Sequence, residues 1–446
     1  MPVTGGGLVA IIHPGLGLRG LFRGEDRLTA ELTLTLDGVP VGGSESGRAG
    51  RGAWSRTVRL EHGGALLETG LLCDAPQAVV LQWLSRPAGS PSAEPPLPPS
   101  SRLLVRIHIG HGEPPEAATL PLSPGEAATL VVLPGDAPPD RSTDLLRSLD
   151  VRRRMRARRS LSYGKTGLSV LVDGSPDPSV ERALLSIDDA PLGMGAQGEP
   201  LGPFLAGARS DRPWYLQGVE LADLGTAALE SGRRALARAI LMTALDHREI
   251  PPLPLLHLAA DWMAWTGDAR PLSARRSALE RVAAGAGVPV APDLSGLREA
   301  LPPRRTPEHA SMTPPGGTPA AASVVRDWVE GRLGAIPDSP FGRLRLAPRI
   351  AESGAREVRG LRVGDASVSL VWSRSERSVR VHVSQTEGRV PLNLVFEPVL
   401  PRFRPGEVRI GGEPAQVDVS QEGDQARVRC QFPLDPGRDV EILAAP

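Results

Sequence analysis

Between residues 211 and 220 the chain reads Asp211-Arg212-Pro213-Trp214-Tyr215-Leu216-Gln217-Gly218-Val219-Glu220. Flat aromatic rings stack on the apolar face of a pyranose, while carboxylates, guanidinium and amide groups bond its hydroxyls. Trp214, Tyr215, Arg212 and Gln217 are therefore the candidate sugar-binding residues, and Glu220 and Asp211 the candidate acids. Cleaving a glycosidic bond needs two carboxyl groups, roughly 5–5.5 Å apart with retention or about 6.5–9.5 Å with inversion. One of them must hold its proton at neutral pH. Asp188 and Asp189 are further acids on the N-terminal side, and Glu308 and Glu330 are later ones placed to act as a base, apart from the helix-face Glu280 and Glu299.

Each of these residues has a plainer role beside the chemical one. Asp188-Asp189 before Ala190-Pro191 suits a turn or cap, and Asp211 can pair with its neighbour Arg212. Glu220 in a first helical turn is favoured by the helix dipole alone. Trp262 and Trp265, three apart on an apolar helix, read as core, whereas Trp214 and Tyr215 read as an aromatic loop. His247 and His257 have no third ligand at metal spacing, so no metal is expected. Gly164-Lys165-Thr166 lacks the glycine a phosphate loop requires five positions earlier, where Arg159 stands. No cofactor motif is present. Cys73 and Cys430 read as two buried free thiols.

The 51 basic and 51 acidic residues balance, which argues against nucleic acid or an anionic membrane as partner. The Arg-rich run from Val151 to Arg159 has no interleaved aromatics and reads as a solvated linker helix. The first residues lack the basic start of a signal peptide, and no apolar run reaches membrane-spanning length. A cytoplasmic location is the expectation.

Strand, helix and strand periods follow one another along the chain. Leu28 to Leu36 alternates and ends at Asp37-Gly38, a hairpin pair. Ser55–Leu60, Ala78–Leu84 and Leu103–Ile109 repeat the alternation, so residues 1–145 read as an antiparallel β-sandwich with a proline-rich loop over 87–99. Residues 146–175 read as a linker containing the Arg-rich helix. From 176 to 337 the period is helical: Asp177 caps a helix opening at Pro178, and Leu221, Leu224, Ala228 and Leu229 share one face. Leu255, Leu258, Ala259, Trp262 and Trp265 line another. Residues 288–319, crowded with proline and glycine, read as irregular. One last helix is expected over about 320–333. Alternation returns from 338 to 446 as a second β-sandwich, and this order predicts separate domains.

In these segments the chain resembles the six-hairpin (α/α toroid) glycosidases, particularly bacterial glycogen-debranching or amylo-alpha-1,6-glucosidase-like proteins. Asp211 to Tyr215 looks like the family's aromatic loop, Glu249-Ile250-Pro251 its Gly-x-Ile-Pro turn, and Trp265-Thr266-Gly267-Asp268 the following hairpin turn. Phe341–Ile350 and Leu361–Ala366 resemble the opening of the C-terminal β-domain. The resemblance implies a β-sandwich, a ring of helical hairpins and a second β-sandwich, a carbohydrate partner, and Glu220 at an acid position. Val219 departs from the Arg found before that acid in relatives.

A complete ring needs about twelve helices of about 11–12 residues with short connections, or about 200 residues. Without 288–319, residues 176–335 hold about seven or eight at most, so the ring is expected to be partial. Whether the chain is an enzyme stays open: impaired or lost catalysis with glycan binding is the favoured reading. The alternatives are an active hydrolase on α-glucan or oligosaccharide using Glu220 or Asp211, and a structural scaffold. A ring completed by a second copy, a homodimer, would evade the length argument.

Overall fold

The computed structural model describes the strand backbones between residues 2 and 132, and residues 167–445 apart from 189, 195–199, 210–211, 248–249, 290–295, 303–316 and 352–353. Side chains at 191–201, 203, 207–213 and 247 also lie outside the description. The run over 151–159 and the proline-rich stretch after Pro87, residues 88–99, fall outside the described residues. Helices and almost wholly antiparallel sheets make up the chain. It divides into two compact units, Met1–Ser162 with Asp188–Leu216, and Tyr163–Ile187 with Gln217–Pro446.

In the first unit the alternating strand Glu31–Leu36 pairs with Arg102–His108, setting Leu32, Leu34 and Leu36 opposite Ile107, Val105 and Leu103. Such apolar cross-strand pairs are what hold register. The hairpin partner Val39 lies opposite Leu36, as the Asp37-Gly38 signal predicts. Ala53–Arg59, Ala65–Ala75 and Ala78–Pro87 form the middle of a five-stranded sheet. A three-stranded sheet of Pro191–Met194, Pro200–Arg209 and Arg212–Tyr215 completes the unit.

In the second unit, helix α1 (Pro178–Asp188) opens where Asp177 accepts bonds from the backbone N–H groups of Ser179 at 2.9 Å and Val180 at 3.3 Å. Partial burial works against the Asp177 charge, but these bonds and the Ser179 hydroxyl hold its carboxyl below the ordinary range. Helices α2 (Gly218–Glu230), α3 (Arg234–His247) and α4 (Pro252–Thr266) follow through short turns. The four-residue α5 (Arg270–Ser273), then α6 (Arg276–Ala286) and α7 (Thr318–Arg326), complete the described helices. Trp262 and Trp265 are core residues, 4% and 3% exposed. The last helix does not end where α geometry would: α7 runs on as a π-helical turn, Asp327–Arg332.

Ser169–Val172 and Ser175–Pro176, which precede the helices, complete an eight-stranded sheet otherwise built from Gly354 onward. A second sheet centres on Asn393–Phe396 and Gln425–Pro433. Val379, Val381 and Val383 are buried in the first, Val428, Cys430 and Phe432 in the second, every second residue as the strand period requires. Burial pushes the free Cys430 thiol up to about 12. The helices are tied to the first sheet at its Gly364 turn, where Gly364 N–H donates to Trp265 O at 2.8 Å and Arg234 donates to Gly364 O.

Candidate functional site

Of the candidate sugar-binding residues, Arg212, Trp214 and Tyr215 occupy a strand rather than the loop that Pro213 suggests. Arg212–Tyr215 pairs antiparallel with Pro200–Arg209, Trp214 opposite Gly207 and Tyr215 opposite Leu205. Aromatic residues favour the pleated environment, and a proline is tolerated on an edge strand, where its missing N–H costs nothing. Arg212–Tyr215 is such an edge in its sheet. The consequence is geometric. Successive strand residues project to opposite faces, so one pyranose ring can stack on Trp214 or on Tyr215, not on both. Each ring is half-buried.

Gln217 is exposed at the N-cap of α2, with no side-chain capping bond, and Glu220 lies half-buried in the first turn of that helix. Asp211, Asp189 and Glu308 are outside the described residues, as is the side chain of Arg212. Asp188 is the last residue of α1, and Glu280 pairs with Arg276 at 2.7 Å along α6. Glu299 is exposed and His257 half-buried on α4.

A different carboxyl group stands out once the helices pack. Asp223, Thr226 and Glu230 recur at i, i+3 and i+7, which places them on one face of α2. That face meets α4 and α7. The Thr226 hydroxyl donates to Asp261 Oδ2 at 3.0 Å, and Arg326 Nη1 donates to Asp223 Oδ1 at 2.5 Å. Arg326 Nη2 also reaches Glu330 Oε2 at 3.0 Å. The π turn positions this last pair's surroundings: Leu333 N–H bonds Trp328 O five residues back, Arg332 reaches Asp327 at 3.1 Å across the same spacing, and its guanidinium stacks 4.6 Å over Trp328. Such π segments are often kept at functional positions.

Glu230 sits at the bottom of this cluster, 1% exposed. Neither of its carboxyl oxygens has a hydrogen-bond partner, and the buried Nε of Arg326 has none either. Burial above all raises its pKa well beyond the ordinary range, and the charge of Glu330 and then of Asp261 add to this against the opposing Arg326. The neighbouring Glu330 carboxyl group favours the proton on Glu230. Were Glu230 ionised, four carboxylates would face one guanidinium. Burial and the neighbouring carboxyl groups thus favour the protonated form of Glu230, as a general acid requires, but the group is closed to any sugar.

Of the acids read from the sequence, the structure brings Glu330 into this cluster. Glu220 stands ten residues from Glu230 on the same helix, about 15 Å along its axis, too far for the two to flank one glycosidic bond. Glu230 is absent from the sequence reading, although a signal existed. It is an acid in the last turn of an apolar helix, where the dipole disfavours negative charge. Among the described residues no three His, Cys, Asp or Glu side chains are placed to hold a metal ion, and no helix is long and apolar enough to cross a membrane.

No known protein family and no curated protein matches this sequence. Among solved structures, an alpha-L-rhamnosidase from Dictyoglumus thermophilum superposes with a TM-score of 0.42 at 8% identity, over 76% of this chain and 56% of that one. The chain thus spans little more than half the length of that protein. A human-microbiome protein assigned by its name as a kojibiose phosphorylase gives 0.40 at 8% identity, over 94% of this chain and 90% of that one.

Proposed function

We propose that the chain is a carbohydrate-binding protein of the six-hairpin glycosidase type, similar to bacterial glycogen-debranching proteins, whose catalysis is impaired or lost. In this reading two β-sandwiches, 1–145 and 338–446, flank a partial ring of helical hairpins over 176–337 in a cytoplasmic protein. The observation that carries it is the edge strand Arg212–Tyr215, with two half-exposed aromatic rings next to an arginine in sequence. The buried state of Glu230 is consistent with lost catalysis, because this carboxyl, held well above its ordinary pKa, cannot touch a glycosidic oxygen. The half-exposed Glu220 favours a second reading, an active hydrolase with Glu220 or Asp211 as acid.

The test is calorimetric titration of purified protein with malto-oligosaccharides and isomalto-oligosaccharides, wild type beside Trp214→Ala and Tyr215→Ala. Because the two rings face opposite ways, one substitution is expected to weaken binding by at least about tenfold, the value of one lost stacking contact, and the other to leave it nearly unchanged. Equal losses in both variants would contradict the opposed-face geometry. Unaltered binding in both would remove the aromatic strand from the site.

A further inference from the structure

Helices α3 and α5 and the turns around α5 border a half-open cavity of about 450 Å3, within the size range of small-molecule sites. One wall is the α3 face carrying Arg238 and Met242, four residues apart, with Asp246 four further on. The opposite wall is Asp268, Arg270 and Pro271, continuing to Ala274 and Arg275. That wall is held rigidly. Trp262 Nε1 donates to Asp268 O at 2.7 Å, and Asp268 N–H donates to Thr266 Oγ1 at 3.1 Å.

The three arginines are not equivalent. Arg270 bonds both oxygens of Asp268, at 2.8 and 3.0 Å, and Arg275 bonds both oxygens of Asp246, at 2.8 and 3.3 Å. Arg238 is exposed and makes no hydrogen bond or ion pair among the described residues, although its charge helps to hold the Asp268 carboxyl low, after the bonds and charge of Arg270. Among the described residues, the three lining arginines less Asp268 and the Arg275 partner Asp246 leave one net positive charge, on Arg238. The surface between the arginines is apolar, from Met242, Pro271 and Ala274.

We propose that this cavity binds a small organic carboxylate with an apolar body, its carboxylate on the Arg238 guanidinium and its body against Met242 and Pro271. A planar carboxylate matches the guanidinium fork. A single net charge matches a monoanion better than a phosphate dianion, whose second charge would face Asp268 and Asp246 without a free partner. The site is independent of the aromatic strand, so its test and the oligosaccharide titration fail separately.

The experiment is titration of the full chain, followed by calorimetry and ligand-observed NMR, with 3-phenylpropionate and hexanoate, the neutral 3-phenylpropionamide, and inorganic phosphate. Wild-type protein is expected to bind at least one carboxylate saturably. The amide, and Arg238→Gln with either carboxylate, should bind at least about tenfold more weakly, the lower range for a charge-assisted bond. Arg238→Lys, which keeps the charge and loses the fork, should fall between. The Arg238→Gln melting curve, unchanged for so exposed a position, controls for folding. No saturable binding of either carboxylate, equal binding of the amide, binding indifferent to Arg238→Gln, or tighter binding of phosphate would each overturn the assignment.

Discussion

At Glu230 three effects act in one direction: loss of water, the negative charges of Glu330 and Asp261, and the negative end of α2. In the unfolded chain this group titrates near 4.5, and folded it keeps its proton well above that. A carboxyl raised by folding gives its full share of stability below the unfolded value, and that share is lost as pH rises toward and through the folded one. Glu230→Gln keeps the shape and removes the titration. Its melting temperature is expected to match the wild type near pH 4 and to exceed it near pH 8 by at least about 2 °C, the shift about 1 kcal/mol gives in a unit of this size. Parallel melting curves for the two proteins between these pH values would show that Glu230 is not the titrating group. Nothing in the local sequence Ala227-Ala228-Leu229-Glu230 states that α7 will cover it, so the acid was legible and its environment was not.

Among the elements, the α2–α4 contact is the most sharply defined. A Cβ on Gly225 would lie 2.8 Å from both terminal carbons of Leu258 and 3.3 Å from Ile240. Leu258 and Ile240 are both fully buried and have no space to withdraw into. Gly225→Val should therefore lose about 1–3 kcal/mol by overpacking, outweighing the roughly 0.5 kcal/mol by which valine's helix propensity exceeds that of glycine. Denaturant titration measures this, and a midpoint at or above that of the wild type would mean that the helices separate freely. The helix starts and stops were readable at this scale: Asp177-Pro178 opens α1, and Gly232 and Gly267, both with positive φ, lie just beyond α2 and at the end of α4. The π turn after α7 was not, because its extra residue is set by how Trp328 and Val329 bury and by the Arg326 contacts, not by propensity.

For the whole molecule, the prediction concerns activity. Purified protein incubated with a panel of α-glucans and small α-glucosides is expected to release no sugar, and Glu220→Gln to behave alike. Release by the wild type that disappears in Glu220→Gln would establish the active-hydrolase reading instead. The division into units also belongs to this scale. Ser169–Val172 pairs with Gly354–Val363 across about 180 residues of chain, a closure no local pattern encodes. At that bulged strand a Cβ on Gly360 would lie 2.3 Å from the carbonyl oxygen of Gly167, so the sheet tolerates only glycine there.

The sequence by itself determined that strands open and close the chain around helices, the apolar faces of α2 and α4, and the residues that bound α1, α2 and α4. These follow from periods of 2 and 3.6 and from residues whose backbone preferences act over a few neighbours. It did not determine the three-stranded sheet of Pro191–Met194, Pro200–Arg209 and Arg212–Tyr215 that interrupts the stretch read as helical, nor the strands at 169–176 in the stretch read as linker. Only the tertiary structure decided that Trp214 and Tyr215 lie in a strand, that Glu230 is buried among Glu330, Asp261 and Arg326, and that Arg238, on the cavity wall, makes no hydrogen bond or ion pair among the described residues. Burial, charge compensation and pairing depend on side chains brought together from distant parts of the chain, and local spacing does not carry that information.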